Sequence, residues 1–172
     1  MKISGIIYRK DFISNSDELF SYLQEEVDWD RRMKARLTAS FGKAYNYSQM
    51  AYPFQEMPAP LKDICEKIQE EMGYEPNNCL INYYLDGKSK MGFHSDQVDI
   101  LEIDTGVGIV SLGAERNICF RQKDDKNQKV NHMLHSGSFF HMDQEVQADW
   151  EHAIPKDGTE KGRMSLTFRA IK

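Results

Sequence analysis

The chain has 172 residues, 40% of them hydrophobic and 28% charged, an ordinary globular composition sized for one domain. Its 22 basic and 27 acidic side chains leave a net charge of −5, which argues against a protein that coats nucleic acid by bulk electrostatics. No run approaches the roughly 18 apolar residues of a membrane span, the start MKISGIIYRKDFIS lacks a signal-peptide layout, and Cys65, Cys79 and Cys119 form no CxxC pair, so a soluble intracellular protein with reduced, buried cysteines is expected.

In chain order, residues 1–30 carry three basic and seven acidic side chains. A first helix is expected there, capped by Ser14 or Asn15, with Asp17 and Glu18 in its first turn and Leu19, Phe20, Leu23 and Val27 on one face, ending near Trp29. Residues 31–43 then carry Arg31, Arg32, Lys34, Arg36 and Lys43 with no acid, a local basic patch inside an acidic total. A second helix begins with Pro60 in its first turn, runs through Leu61, Ile64, Cys65, Ile68 and Met72 at helical spacing, and stops at Gly73. Beyond residue 78 the pattern changes to short period-two runs at 79–85, 107–112, 116–121, 129–134, 137–142 and 163–170, which read as strands.

Helices first and strands afterwards predict an α+β fold whose core is a jelly roll, a double-stranded β-helix, with the N-terminal helices packed on one side. No repeat, low-complexity tract or linker divides the chain, so residues 1–172 form a single domain. In the last strand Met164, Leu166 and Phe168 face one way and Arg163, Ser165, Thr167 and Arg169 the other. Taken alone, that polar face reads as a solvated edge.

The segment MGFHSDQVD places His94 and Asp96 two apart on extended chain, so both side chains project to one side and can grip one ion. His152, in DWEHAIP, would complete two imidazoles and a carboxylate on one face of an octahedron, with the other positions open. HxD alone equally fits a simple hydrogen-bonded pair. His132 and His135 flank a hairpin-like turn before Gly137 and fit solvated roles; His141 fits a satisfied structural histidine, and Trp150 a packing role.

Four ordered segments, NYYLDGKSKMGFHSD, IVSLGAERNICFR, GSFFHMDQEVQADWEHAIP and GRMSLTFR, resemble the AlkB family of Fe(II)/2-oxoglutarate-dependent dioxygenases. The resemblance is looser over residues 1–77, through DFIS and YNYSQMAYPFQEMPAPL. It implies that residues 1–77 are helical support and substrate lid and residues 78–172 the catalytic core. It also implies that His94, Asp96 and His152 bind Fe(II), and that Asn82, Tyr84, Arg163, Ser165 and Arg169 hold 2-oxoglutarate, with dioxygen as the third reactant. Arg163 is expected at the distal carboxylate and Arg169 at the metal-proximal end. The residue types agree, because guanidinium forks bind carboxylates bidentately and Asn and Tyr supply neutral donors. Ser165 stands where family members often have Asn.

The implied reaction is oxidative demethylation of an N-alkylated base in single-stranded or base-flipped DNA or RNA. Oxidative decarboxylation of 2-oxoglutarate gives succinate and carbon dioxide, and the hydroxylated N-methyl group collapses to formaldehyde. Arg31, Arg32, Lys34 and Arg36, followed by Phe41, Tyr45, Tyr47, Tyr52 and Phe54, offer cations for phosphates and faces for bases. Tyr45 and Tyr47 match the family's lid segment, although Thr38 occupies a position where members carry an aromatic; alternatively these aromatics pack a hairpin on the core. Where several members have an acid two positions after the metal aspartate, this chain has Val98, and Asp99 follows one position later, a candidate substrate contact if the chain turns after Asp96. A hydroxylase of a protein or small molecule, and a catalytically silent nucleic-acid-binding module, are the alternatives. The expected protein is a monomer, cytoplasmic or nuclear, without a membrane partner.

Overall fold

Period-two hydrophobicity in the C-terminal half is answered by two antiparallel sheets that face each other. The computed structural model describes residues 2–47 and 49–172. In chain order the elements are β1 (Ile6–Arg9), α1 (Ser16–Glu26), β2 (Leu37–Gly42), β3 (Tyr45–Tyr47), β4 (Met50–Tyr52), α2 (Ala59–Met72), β5 (Asn78–Tyr84), β6 (Met91–His94), β7 (Gly106–Gly113), β8 (Arg116–Gln122), β9 (Lys129–Leu134), β10 (Phe139–Asp143), α3 (Gln144–Asp149), β11 (Trp150–Ile154) and β12 (Arg163–Arg169). The larger sheet has the order β1-β10-β7-β12-β5-β2 and the smaller β6-β11-β8-β9, while β3 and β4 form a separate hairpin. This is the jelly-roll core expected from the sequence.

The helices cover one face of the larger sheet. Leu19 and Leu23 of α1 and Leu61, Ile64, Cys65 and Ile68 of α2 share one cluster with Ile81, Val110, Leu112, Met164, Leu166 and Phe168 of the sheet. Each such side chain removed from water contributes roughly 1.5–3 kcal/mol, and the apolar stripe at helical spacing is what docks each helix. Between the two sheets lies a second cluster, built from Ile109, Ile118, Phe120, Phe140, Met142 and Ile154. The helix boundaries follow local chemistry. α1 stops at Glu26, earlier than the pattern suggested, because Val27 and Trp29 pack against the core from extended chain instead. Its predicted cap, Asn15, occupies the N-cap position but makes no side-chain capping bond. α2 carries Pro60 in its first turn and ends at Gly73, whose φ of 82° is the left-handed conformation that glycine adopts without steric cost.

Strand β12 decides between the two readings of its polar face. It lies between β5 and β7, and all seven of its residues are buried. Its polar face, Arg163, Ser165, Thr167 and Arg169, is therefore no solvated edge but a row of polar groups held between the sheets. Free Cys65 and Cys79 are buried as expected, whereas Cys119 is half-exposed. Among the described residues no helix is long and apolar enough to cross a membrane.

Candidate metal centre and cosubstrate cavity

Antiparallel pairing of β6 with β11 sets His94 directly opposite His152. Their ring centroids are 4.4 Å apart. Asp96 follows β6 by two residues, and one ligand atom from each of His94, Asp96 and His152 lies within 4.8 Å of the others. His94 Nε2 is 3.9 Å from Asp96 Oδ1 and His152 Nε2 is 3.6 Å from Asp96 Oδ2. Adjacent ligands at bonds of about 2.1 Å stand roughly 3 Å apart, so a slight contraction of this set would close it on an ion.

Neighbouring groups aim these atoms. His94 Nδ1 lies 2.8 Å from the Gly92 carbonyl; a carbonyl can only accept, so the proton sits on Nδ1 and the Nε2 lone pair faces the centre. Burial pushes the His152 pKa down to about 4 against the pull of Asp96, which keeps this imidazole neutral and able to ligate at neutral pH. Burial alone would raise Asp96, but the Arg169 guanidinium, then His152 and His94, outweigh it and hold the carboxyl below its usual range. The backbone N–H of Asp96 donates to Gln147 Oε1 at 2.8 Å, and Ser95 Oγ donates to the Trp150 carbonyl at 2.8 Å. Gln147 sits on α3, a one-and-a-half-turn helix capped by Asp143, whose side chain accepts from Val146 N–H. Neither α3 nor Gln147 is signalled in the sequence.

The row on β12 faces this centre across the sandwich. Arg169 Nη2 donates to Asp96 Oδ1 at 3.2 Å. Arg163, at the other end of the row, is 1% exposed and donates from Nη2 to Ser111 Oγ at 3.0 Å. Register pairs Arg163 with Tyr84 and Ser165 with Asn82, so these four side chains line one cavity with the metal-centre residues. Tyr84 lies between two guanidiniums, with its ring centroid 5.3 Å from Arg163 Cζ and 5.6 Å from Arg116 Cζ. Burial lowers the Arg163 pKa to about 10 and raises that of Tyr84. Among the described residues, Nε and Nη1 of both Arg163 and Arg169 are buried without a partner. Orphaned guanidinium N–H groups inside a protein are costly unless an anion meets them. The donor set thus suits a dicarboxylate at its arginines and a divalent ion at two imidazoles and a carboxylate.

The sequence profile of the 2OG-Fe(II) oxygenase superfamily matches residues 11–169. The chain belongs to that superfamily. Within it, the chain is 28% identical to alpha-ketoglutarate-dependent dioxygenase alkB homolog 3 of Rattus norvegicus, over 92% of this chain and 61% of that protein. It is 29% identical to DNA oxidative demethylase ALKBH2 of Homo sapiens, over 92% of this chain and 69% of the relative. These relatives bear out the AlkB resemblance. The chain spans about three fifths of the length of the alkB homolog 3 proteins it matches. The solved structure of OsALKBH1 superposes with a TM-score of 0.71 at 16% identity, covering 98% of this chain and 99% of that one, which establishes the shared oxygenase fold.

The expected substrate residues fall in three different settings. Tyr47 lines the cavity. Tyr45 is buried on the hairpin, packs with Leu80 and Ile171, and lies under Arg169, whose Cζ is 4.8 Å from its ring centroid. Asp99 is exposed in the turn closed by Leu101 N–H to the Val98 carbonyl at 3.0 Å, outside the cavity lining. Thr38 is fully buried, its hydroxyl 2.5 Å from that of Tyr52. One member of the basic stretch is reassigned. Arg36, expected among the phosphate-facing cations, is 8% exposed and bonded to Asn82, Lys90 and Tyr47, so its charge is turned inward. His141 is the satisfied structural histidine expected, 2.7 Å from the Tyr74 hydroxyl.

Proposed function

We propose that the chain is an Fe(II)/2-oxoglutarate-dependent dioxygenase that oxidatively demethylates N-alkylated bases in DNA or RNA. The observation that carries the reading is the placement of the His94–Asp96–His152 set against two buried arginines with unmatched N–H groups, inside one cavity. When bound, Fe(II) with 2-oxoglutarate and dioxygen supplies C–H hydroxylation, coupled to loss of carbon dioxide and formation of succinate.

The chain's own residues bind and orient. His94, Asp96 and His152 hold the ion from one side and leave the other positions to reactants. Arg163, with Tyr84, grips the far carboxylate, and Asn82 and Ser165 add neutral contacts along the ligand. Arg169 serves the metal-proximal end and keeps Asp96 ionised. Ile109, Ile118 and Ile154 line the same cavity and exclude water from the reacting centre.

The nucleic-acid substrate is supported by the relatives, one of which is named a DNA oxidative demethylase. Arg31 and Lys34 remain at the surface before β2, suited to phosphates, while the exposed Arg32 is paired with Asp30; Tyr47 lies at the cavity. A base must leave its stack to reach this cavity, so single-stranded or flipped substrates fit. A monomer acting in the cytoplasm or nucleus fits the same reading. The test is mass spectrometry of methylated oligonucleotides incubated with the protein, Fe(II), ascorbate and 2-oxoglutarate. Loss of one methylene mass per lesion, with one succinate formed, is the expected result; succinate formed only with protein or small-molecule substrates would overturn the nucleic-acid assignment.

A further inference from the structure

Arg36 ends the basic stretch, yet its guanidinium is spent entirely inside the protein. Nε donates to Asn82 Oδ1 at 2.8 Å, Nη1 donates to the Lys90 carbonyl at 3.1 Å, and Nη2 donates to the Tyr47 hydroxyl. Its Cζ also stands 5.7 Å from the Tyr47 ring centroid. These partners sit on three elements: the wall strand β5, the loop that leads into β6 and His94, and the β3–β4 hairpin. One planar, permanently charged fork therefore ties the hairpin to the floor of the cavity.

The chemistry of the Asn82 contact fixes an orientation. A guanidinium has donors and no acceptor, so Asn82 must turn Oδ1 toward Arg36. Its Nδ2 then becomes the amide's remaining polar atom, and Asn82 lines the cavity beside Tyr84 and Arg163. A dicarboxylate needs donors there. Had the amide been flipped, its oxygen would face the carboxylate and repel it.

We propose that Arg36 is a positioning residue that presents the Asn82 amide as a donor to the cosubstrate and couples filling of the cavity to seating of the β3–β4 hairpin. The inference rests on reading the cavity as a 2-oxoglutarate site. Coupling is reciprocal: a cosubstrate that firms the Asn82–Arg36 bond firms the Arg36–Tyr47 bond, and a seated hairpin tightens the cosubstrate.

The experiment combines calorimetric binding of 2-oxoglutarate to the full chain loaded with redox-silent Mn(II) and hydrogen exchange of the β3 and β4 amides with and without 2-oxoglutarate. Wild type is expected to bind 2-oxoglutarate and to slow hairpin exchange when it does. Arg36→Lys, which keeps the charge and loses the fork, is expected to weaken 2-oxoglutarate roughly tenfold or more and to abolish the ligand-dependent protection. Tyr47→Phe retains the Arg36–Asn82 bond, so it should lose the protection with a smaller loss of affinity; it carries the test if Arg36→Lys does not fold. Wild-type affinity and retained protection in Arg36→Lys would overturn the proposal, as would wild type that binds without protecting the hairpin. A wild-type protein that fails to bind 2-oxoglutarate at all would overturn the cosubstrate reading and this inference with it.

Discussion

Arg169 bridges Asp96 and Tyr45: its Nη2 donates to Asp96 Oδ1 at 3.2 Å while its Cζ lies 4.8 Å from the Tyr45 ring centroid. The same cation thus holds the carboxylate at the metal centre and the first strand of the hairpin. Asp96→Ala should abolish stoichiometric Mn(II) binding and reduce 2-oxoglutarate turnover to background. It also strips a buried guanidinium of its only charged partner among the described residues, which costs about 1–3 kcal/mol. The variant is expected to fold with a lowered Tm, as checked by circular dichroism; turnover comparable to wild type would remove Asp96 from the metal centre.

Arg163 sits too deep to touch a nucleobase at the surface; it lines the cavity, and its Nε and Nη1 are buried without a partner among the described residues. Arg163→Ala should raise the KM for 2-oxoglutarate by roughly tenfold to over a hundredfold, the equivalent of about 1.5–3 kcal/mol for a charged hydrogen bond. Binding of a methylated oligonucleotide to the variant should change much less. Steady-state kinetics with each reactant varied in turn checks the split.

Arg116 carries a structural load of a different kind. It is 1% exposed, donates to the carbonyls of Ser89 and Pro155 at 2.9 and 2.7 Å, and lies 3.1 Å from Asp157 Oδ2 through Nε. It therefore clasps the loop after β5 to the loop before β12, at the Arg163 end of the cavity. Its removal loses two charge-assisted hydrogen bonds to carbonyls, about 1.5–3 kcal/mol each, while Asp157, 39% exposed at its side chain, returns to water. Arg116→Ala should lower stability in urea unfolding more than Asp96→Ala does.

Acid should destabilise the metal-free protein partly through His141. Burial lowers its pKa from the usual 6.5 to about 4, so between those values the unfolded chain binds a proton that the folded one refuses. Stability is then full above about pH 6.5 and is lost as pH falls toward 4, by about 3 kcal/mol at roughly 1.4 kcal/mol per pH unit. His141→Gln, which can still meet the Tyr74 hydroxyl, should lose less Tm than wild type between about pH 7.5 and 4.5 in the presence of a chelator.

Much of this was legible in the sequence because it is local. His94 and Asp96 share one short segment, and the strands at 116–121 and 129–134 and the Pro60-to-Gly73 helix follow period and punctuation alone. What depends on register was not. Nothing in the spacing places His152 opposite His94; ligand chemistry and the resemblance nominate it, and the register of β6 with β11 brings it there. By period alone Arg163 and Arg169 look like a wet strand face, and it takes the resemblance, or the place of β12 between β5 and β7, to turn them inward; Arg36 looks like one more surface cation until Asn82 and Tyr47 close around it. β2, with the run LTASFG, and α3, with QEVQAD, are too short or too mixed to show a period.

Asp99 is the remaining candidate for substrate selection. A straight continuation of β6 would turn it away from the metal, but the strand ends at His94 and residues 98–101 form a turn. Its neighbours are anchored: Val98 packs between the sheets, and Ile100 packs both there and, like Tyr47 and Met50, against the cluster of Tyr45, Tyr52, Leu80 and Ile171. Asp99 itself is exposed and outside the cavity lining; we propose that it serves the substrate from the rim, where a carboxylate would attract an alkylated, cationic base and accept from an exocyclic amine. Its charge is exposed, so the effect should weaken as salt rises. Asp99→Ala is expected to lower turnover of a cationic methylated base several-fold at low ionic strength, with a smaller effect on a neutral methylated base and none on the slow, substrate-free consumption of 2-oxoglutarate. Competition between the two bases in one reaction, read by mass spectrometry, measures that preference directly; an unchanged ratio in the variant would assign Asp99 to solvent alone.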